Sequence, residues 1–142
     1  MSSLEKVAAA AKAGRETGLP VCAKLTFDTA RRSMMGVTTA DYAQFAAEIG
    51  LDMAGANCGA GPAELMDSTQ GLIAVGIGIP MVAKGNCGIP QFVNGAIHFP
   101  GSPELMAEYS LFAGNAGATI IGGCCGTTFK HTAAMANTLN TT

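Results

Sequence analysis

Charge is scarce in this chain. Only 13% of its 142 residues are Asp, Glu, Lys or Arg, about half of the roughly 25% common in soluble domains. The 8 Lys and Arg residues are scattered singly and the net charge is −2. With no basic patch, nucleic acid is excluded as the main partner. There is no Trp and there are only 2 Tyr, which excludes an aromatic platform for stacking bases. No apolar run approaches the ~18 residues of a transmembrane helix, so no membrane is expected as a partner. The opening Ser2-Ser3-Leu4-Glu5-Lys6 lacks a basic region followed by an apolar run, so no signal peptide is expected. The cytoplasm is then the expected compartment. There the 5 cysteines read as metal ligands, nucleophiles or buried thiols rather than disulfides. So little charge also implies that part of the surface is covered, by another copy in a homo-oligomer or by a complementary chain.

What the chain has is apolar content, 49% of its residues, enough for one domain with a real core. Four apolar runs each follow a glycine: Leu19 to Thr26, Leu51 to Asn57, Ile79 to Asn86 and Ala118 to Gly123. Their starts are 32, 28 and 39 residues apart. That spacing fits βα units and a parallel sheet, because parallel strands need a crossover of a dozen or more residues. Between the runs lie helical segments. Ser2 to Thr17 has a capping-box spacing at Ser2 and Glu5, with Gly18 as a stop. Thr38 caps a helix that ends before Gly50. Pro62 to Val75 is a third, with a weaker start. Ser102-Pro103-Glu104 opens a fourth with a cap, a proline at the first position and an acid in the first turn. Thr128 caps a fifth, from Phe129 to about Leu139. Asn94-Gly95 predicts a tight hairpin turn within the long loop from Gly85 to Pro103. The order is α(βα)×4, an α/β fold of parallel βα repeats, with the loops after the strands as the place for chemistry.

Four of the five cysteines fall at strand ends. Cys22, inside a strand, reads as a small buried hydrophobe. Gly122-Gly123-Cys124-Cys125-Gly126-Thr127-Thr128 is the most informative stretch. Neighbouring side chains on a strand point to opposite faces, so adjacent cysteines can share a ligand only where the strand ends and the backbone turns. Flanking glycines permit that turn, and the following helix N-terminus favours thiolate over thiol. A third thiolate would complete a Cys₃ zinc site with one open position, the arrangement of a catalytic zinc. A vicinal disulfide or two buried free thiols are the alternatives. Two loops could supply the third thiolate, Asn57-Cys58-Gly59 and Asn86-Cys87-Gly88, and spacing does not choose between them.

Gly55-Ala56-Asn57-Cys58-Gly59-Ala60-Gly61-Pro62 and Ile121-Gly122-Gly123-Cys124-Cys125-Gly126-Thr127-Thr128 resemble the two zinc-binding motifs of the homocysteine S-methyltransferase family. This family includes betaine–homocysteine methyltransferases and the homocysteine module of cobalamin-dependent methionine synthase. Leu19-Pro20 through Thr26-Phe27-Asp28 is similar to the family's fifth strand, and Lys84 to Pro90 to the end of its seventh. Pro103 to Tyr109 is similar to the following helix. The resemblance implies strands 5–8 of a (β/α)₈ TIM barrel, with residues 1–142 as the C-terminal half of a homocysteine-binding barrel. It implies Cys58, Cys124 and Cys125 as zinc ligands, and leaves Cys87 where the family has none. The implied reaction is zinc-dependent methyl transfer to the homocysteine thiol, giving methionine, with betaine or a related onium compound as donor. Phe129 stands where the family usually has Pro. The family's N-terminal motif and the acidic residue that grips the homocysteine amino group have no counterpart here. A half-barrel has two open edges, which invite pairing. The alternative to an enzyme is therefore an inactive half-barrel that binds zinc or a partner chain without turnover.

Fewer expectations attach to other residues. Asn57 can orient its neighbouring ligand and contact substrate, or serve as a turn residue. Thr26 and Asp28 sit at a strand end facing the barrel mouth, where Asp28 can touch substrate or cap a turn. His98 and His131 lack a cysteine or carboxylate at ligand spacing, and solvent exposure is expected for both. Met34-Met35 reads as adaptable packing or a lid contact.

Overall fold

Each apolar run becomes a strand and each capped segment a helix in the computed structural model, which describes residues 3–28 and 30–141. In chain order these are α1 (Leu4–Arg15), β1 (Cys22–Leu25), α2 (Thr39–Glu48), β2 (Met53–Cys58), α3 (Pro62–Ile73), β3 (Met81–Gly85), β4 (Gln91–Val93), β5 (Ala96–His98), α4 (Pro103–Asn115), β6 (Ile120–Gly123) and α5 (Phe129–Asn140). Four strands form one parallel sheet in the order β1-β2-β3-β6. The strands are one to four residues shorter than the apolar runs, because each run begins in the loop that enters the sheet. No helix among the described residues is long and apolar enough to cross a membrane.

The caps explain the helix starts. Thr38 and Asp41 form a reciprocal capping box on α2, and Ser102 accepts a hydrogen bond from the Leu105 N–H at the start of α4. At α1 the cap is Ser3, which accepts from the Lys6 N–H at 3.4 Å; Ser2, the expected cap, lies outside the described residues. Asn94 and Gly95 both take positive φ, 50° and 82°. That is the backbone of a two-residue type I′ turn, and it joins β4 to β5 as an antiparallel hairpin.

Strand register sorts side chains into two sets. Ala23 and Leu25 align with Ala54 and Ala56, then with Met81 and Ala83. All six are buried against the helices, with Val7, Tyr42, Ala46, Leu72, Met106 and Ala113. Two tyrosines tie helices to strands. The buried Tyr42 hydroxyl donates to the Ala23 carbonyl at 2.7 Å, and the Tyr109 hydroxyl accepts from the Gly85 N–H at 3.2 Å. Tyr109 thus fixes the end of β3, where a cysteine loop begins. The alternate positions, Cys22, Lys24, Met53, Asn57, Lys84, Ile120 and Gly122, face the other side of the sheet. No helix of the described residues covers that face, and Cys22 is half-buried there rather than the buried hydrophobe expected of it.

His131 departs from expectation as well. It is buried, 9% exposed, at the third position of α5. Its Nδ1 accepts from the Thr128 N–H at 3.0 Å, and its Nε2 lies 3.2 Å from the Gly101 carbonyl oxygen. The imidazole thus closes the capping box that a Glu or Gln usually closes, with the Gly101 carbonyl oxygen accepting from Nε2. His98 is exposed, as expected.

Candidate metal centre

All strands of the main sheet run the same way, so their C-terminal ends and the loops that follow share one edge. That edge carries Asn57-Cys58, Asn86-Cys87 and Cys124-Cys125. Backbone bonds sew these loops together. The Cys124 N–H donates to the Gly85 carbonyl at 2.7 Å, and the Cys87 N–H to the Cys125 carbonyl at 2.8 Å. The Asn86 side chain bridges the Cys58 and Cys125 loops: its Nδ2 donates to the Gly59 carbonyl at 2.6 Å and its Oδ1 accepts from the Cys125 N–H at 3.2 Å.

The sulfurs of Cys58, Cys124 and Cys125 lie within 4.8 Å of one another, the one such group of metal-binding side chains among the described residues. Cys58 and Cys125 are 3.8 Å apart, Cys124 and Cys125 3.9 Å, and all five cysteines are free thiols. Cys58 ends β2 with φ +65°, a left-handed conformation that costs a non-glycine residue of order 1 kcal/mol or more and is seldom kept without a purpose. After Cys125 the chain turns at Gly126, with φ +78°; a Cβ there would lie 2.3 Å from Phe99 Cβ. Only glycine fits, so the close approach of the long loop also fixes the vicinal pair.

The two neighbouring thiols, Cys124 and Cys125, are shifted in opposite directions. Burial opposes ionisation of Cys124, but the Asn57 amide at 3.9 Å and the neighbouring Cys125 and Cys58 groups outweigh it, and its pKa falls below the ordinary thiol value. Cys125 is pushed up to about 11, by burial first and then by Cys58 and Cys124. One site thus sets a thiol whose ionisation is favoured beside one whose ionisation is opposed, and a divalent cation would favour the thiolate form of both. Three thiolates leave one of zinc's four positions open.

Asn57 reaches across to Cys124 rather than to its neighbour Cys58. Cys87 stands apart from the group. Its side chain is fully buried, its S–H donates to the Gly101 carbonyl at 3.0 Å, and burial raises its pKa. Asp28 stands at the same end of the sheet, exposed, beside a pocket of about 350 Å³ that it lines with Arg32, Ser33 and Met34 and that no cysteine lines. The residue that sequence reasoning missed is Asn86. Its signal is the echo of the two Asn-Cys-Gly tripeptides, which places an asparagine at the end of each strand.

Fold and site together define a class: a parallel βα half-barrel bearing a Cys₃ group at its strand C-terminal ends. The family model described as homocysteine S-methyltransferase matches residues 1–139, and the chain belongs to this family. It is 33% identical over 131 residues to the methionine synthase of Mycobacterium tuberculosis, covering 89% of this chain and 11% of that protein. It is 31% identical over 121 residues to the methionine synthase of Mycobacterium leprae, covering 84% of this chain and 10% of that one. Among solved structures it resembles the homocysteine methyltransferase MmuM from Escherichia coli. The metallated form matches with TM-score 0.72 at 21% identity over 95% of this chain and 41% of that one. The apo form matches with TM-score 0.69 at 21% identity over 96% and 47%. At those identities the likeness carries the fold, a partial TIM barrel. The chain spans about a tenth of the methionine synthases and less than half of MmuM.

Proposed function

We propose that residues 1–142 are the C-terminal half of a homocysteine-binding barrel, and that this half carries the zinc site of a methyl transfer to homocysteine. The observation that carries the reading is the meeting of the Cys58, Cys124 and Cys125 sulfurs within 4.8 Å. These three would hold a Zn²⁺, which when bound supplies a Lewis acid that keeps the substrate thiol deprotonated near neutral pH. A free alkyl thiol, with a pKa near 8.5, is mostly protonated there. In the transfer an S–CH₃ bond forms and the donor's bond to the same methyl breaks. The thiol proton goes to solvent and methionine leaves. Betaine or a related onium compound is the proposed donor, releasing a neutral amine or sulfide.

The chain's own residues position this chemistry. Asn57 donates to Cys124, and Asn86 braces the Cys58 and Cys125 loops. Asp28, at the same end of the sheet, is proposed to touch the substrate. The free edges of β1 and β6 call for four further strands to close a barrel, and the proposed partner is a complementary βα half-barrel chain; pairing with a second copy is the other outcome. A second reading, an inactive half that binds zinc without turnover, is favoured by the 41–47% of MmuM that the chain spans.

The test is zinc per chain in protein purified without added metal, followed by methionine formation from homocysteine and betaine, with and without a co-expressed N-terminal half. About one zinc with turnover supports the enzyme. About one zinc with no turnover in either case supports the second reading. No zinc in either case overturns both.

A further inference from the structure

A histidine at the third position of a helix closes a capping box with one nitrogen and has no need there of the other. His131 uses both. Its Nδ1 accepts from the Thr128 N–H at 3.0 Å, and its Nε2 donates to the Gly101 carbonyl oxygen at 3.2 Å, 30 positions away in the chain. A Glu at this place would close the box equally well and would suit the helix N-terminus better. It could not donate to a carbonyl. What His131 adds to α5 is therefore a hold on the long loop.

That hold falls beside the cysteine cluster. Residues 99 to 101 are the return leg of the long loop, after a hairpin whose residues 91 to 98 are exposed throughout. Among the described residues, hydrogen bonds anchor this leg at Gly101 alone. The Gly101 N–H donates to the Cys87 carbonyl at 3.0 Å, and the Gly101 carbonyl accepts from the Cys87 S–H and from His131. The leg presses on both neighbours of Cys125. A Cβ at Gly126, next in the chain, would lie 2.3 Å from Phe99 Cβ. On the other side the Cys125 carbonyl accepts from the Cys87 N–H at 2.8 Å, and a Cβ at Gly88 would lie 2.9 Å from the Gly101 nitrogen. Glycine lies on glycine here, with no side chain between them to absorb a shift. A move of Gly101 is passed to Cys87 and so to the Cys125 peptide.

We propose that His131 is a positioning residue for Cys125. It pins Gly101, and through the Cys87–Cys125 backbone bond it holds the Cys125 sulfur 3.8 Å from that of Cys58 and 3.9 Å from that of Cys124. This deepens the function proposed above and rests on it for the identity of the metal. The path runs through the Cys87 backbone, so the Cys87 side chain can be changed without breaking it.

The test separates the two nitrogens of His131. Zn²⁺ affinity is read by chelator competition, and the strength of the cap by denaturant unfolding. His131→Gln keeps both bonds, with its amide oxygen accepting in the cap and its amide nitrogen donating to Gly101, and is expected to bind zinc within about threefold of the unmutated protein. His131→Glu keeps the cap and loses the donor: its unfolding midpoint should hold while its zinc affinity falls about tenfold or more. Thr128→Ala is the mirror case. It weakens the cap and leaves Gly101 pinned, so its midpoint should fall with its affinity kept. If His131→Glu binds zinc as the unmutated protein does, or if Thr128→Ala loses as much affinity, His131 serves the helix alone and the proposal is overturned. The same series is read without zinc, using arsenite. One As(OH)₃ and three S–H groups give three As–S bonds and three waters, so binding reports the spacing of the three sulfurs and needs no oxidant. Should the unmutated protein bind no zinc, the zinc reading falls. An arsenite affinity that still drops in His131→Glu and returns in His131→Gln then sustains the positioning role, and equal arsenite affinities across the series overturn it.

Discussion

Two Asn-Cys-Gly tripeptides end adjacent strands of one sheet, and they do opposite things. In Asn57-Cys58-Gly59 the cysteine joins the three-sulfur cluster and the asparagine donates to Cys124. In Asn86-Cys87-Gly88 the cysteine is buried with its S–H on the Gly101 carbonyl, and the asparagine braces the other loop. The difference lies in the backbone and in what lies above it. Cys58 is still on the strand and takes a left-handed φ, which frees its side chain from the strand's alternation. Cys87 comes two residues beyond the end of β3, where the chain passes beneath Gly101: a Cβ on Gly101 would lie 2.7 Å from the Cys87 carbonyl carbon. Identical local sequence thus gives a member of the three-sulfur cluster in one loop and a buttress in the other, because the long loop after β3 folds back over the second.

The sharpest way to break the comparison is to remove one thiol from each loop. Cys58→Ser is expected to reduce bound zinc from about one per chain to near zero, while Cys87→Ser leaves it near one; elemental analysis reads both. If Cys87→Ser lost the metal and Cys58→Ser kept it, the roles would be reversed. Next comes Asn86→Ala, which orphans the Gly59 carbonyl and the Cys125 N–H. Leaving such groups unpaired costs about 1–3 kcal/mol each, and misplacing a ligand loop costs about 10–100-fold in metal affinity. Denaturant unfolding and a competitive chelator titration should show both losses. Asn57→Ala should be milder in stability but distinct in kind. It removes a hydrogen bond that favours the Cys124 thiolate, so the pH midpoint for Cys124 alkylation in metal-free protein should rise. The sign follows from the lowered pKa of the wild-type thiol: reactivity persists below the ordinary thiol value and fades as pH falls through the lowered one. The smallest effect is Cys87→Ala, about 1 kcal/mol for a lost buried contact and a small void, with metal content unchanged.

His131 sharpens the same lesson on the other side of the long loop. Its Nε2 meets the Gly101 carbonyl, the acceptor that also takes the Cys87 S–H. Three segments far apart in sequence converge on that one oxygen. Nothing in a Thr-Phe-Lys-His stretch announces this, since capping boxes are sought through Glu or Gln, and a lone histidine on a helix near the end of a chain reads as exposed. Cys22 misled in the reverse sense. A cysteine in an apolar strand reads as core, yet register placed it on the face that no helix covers.

The sequence by itself determined the order of elements, the parallel sheet and the vicinal cysteine turn. These rest on local physics: glycine and proline punctuation, caps at fixed offsets, and crossover lengths that only parallel strands need. Resemblance of two motifs was enough to name the family. Tertiary structure decided which Asn-Cys-Gly loop supplies the third sulfur, which asparagine braces the site, and that His131 is buried. These outcomes depend on strand register and on the path of one long loop, set by contacts between residues 14 to 39 positions apart. No local pattern encodes such contacts, because each residue involved would be equally content elsewhere in the chain.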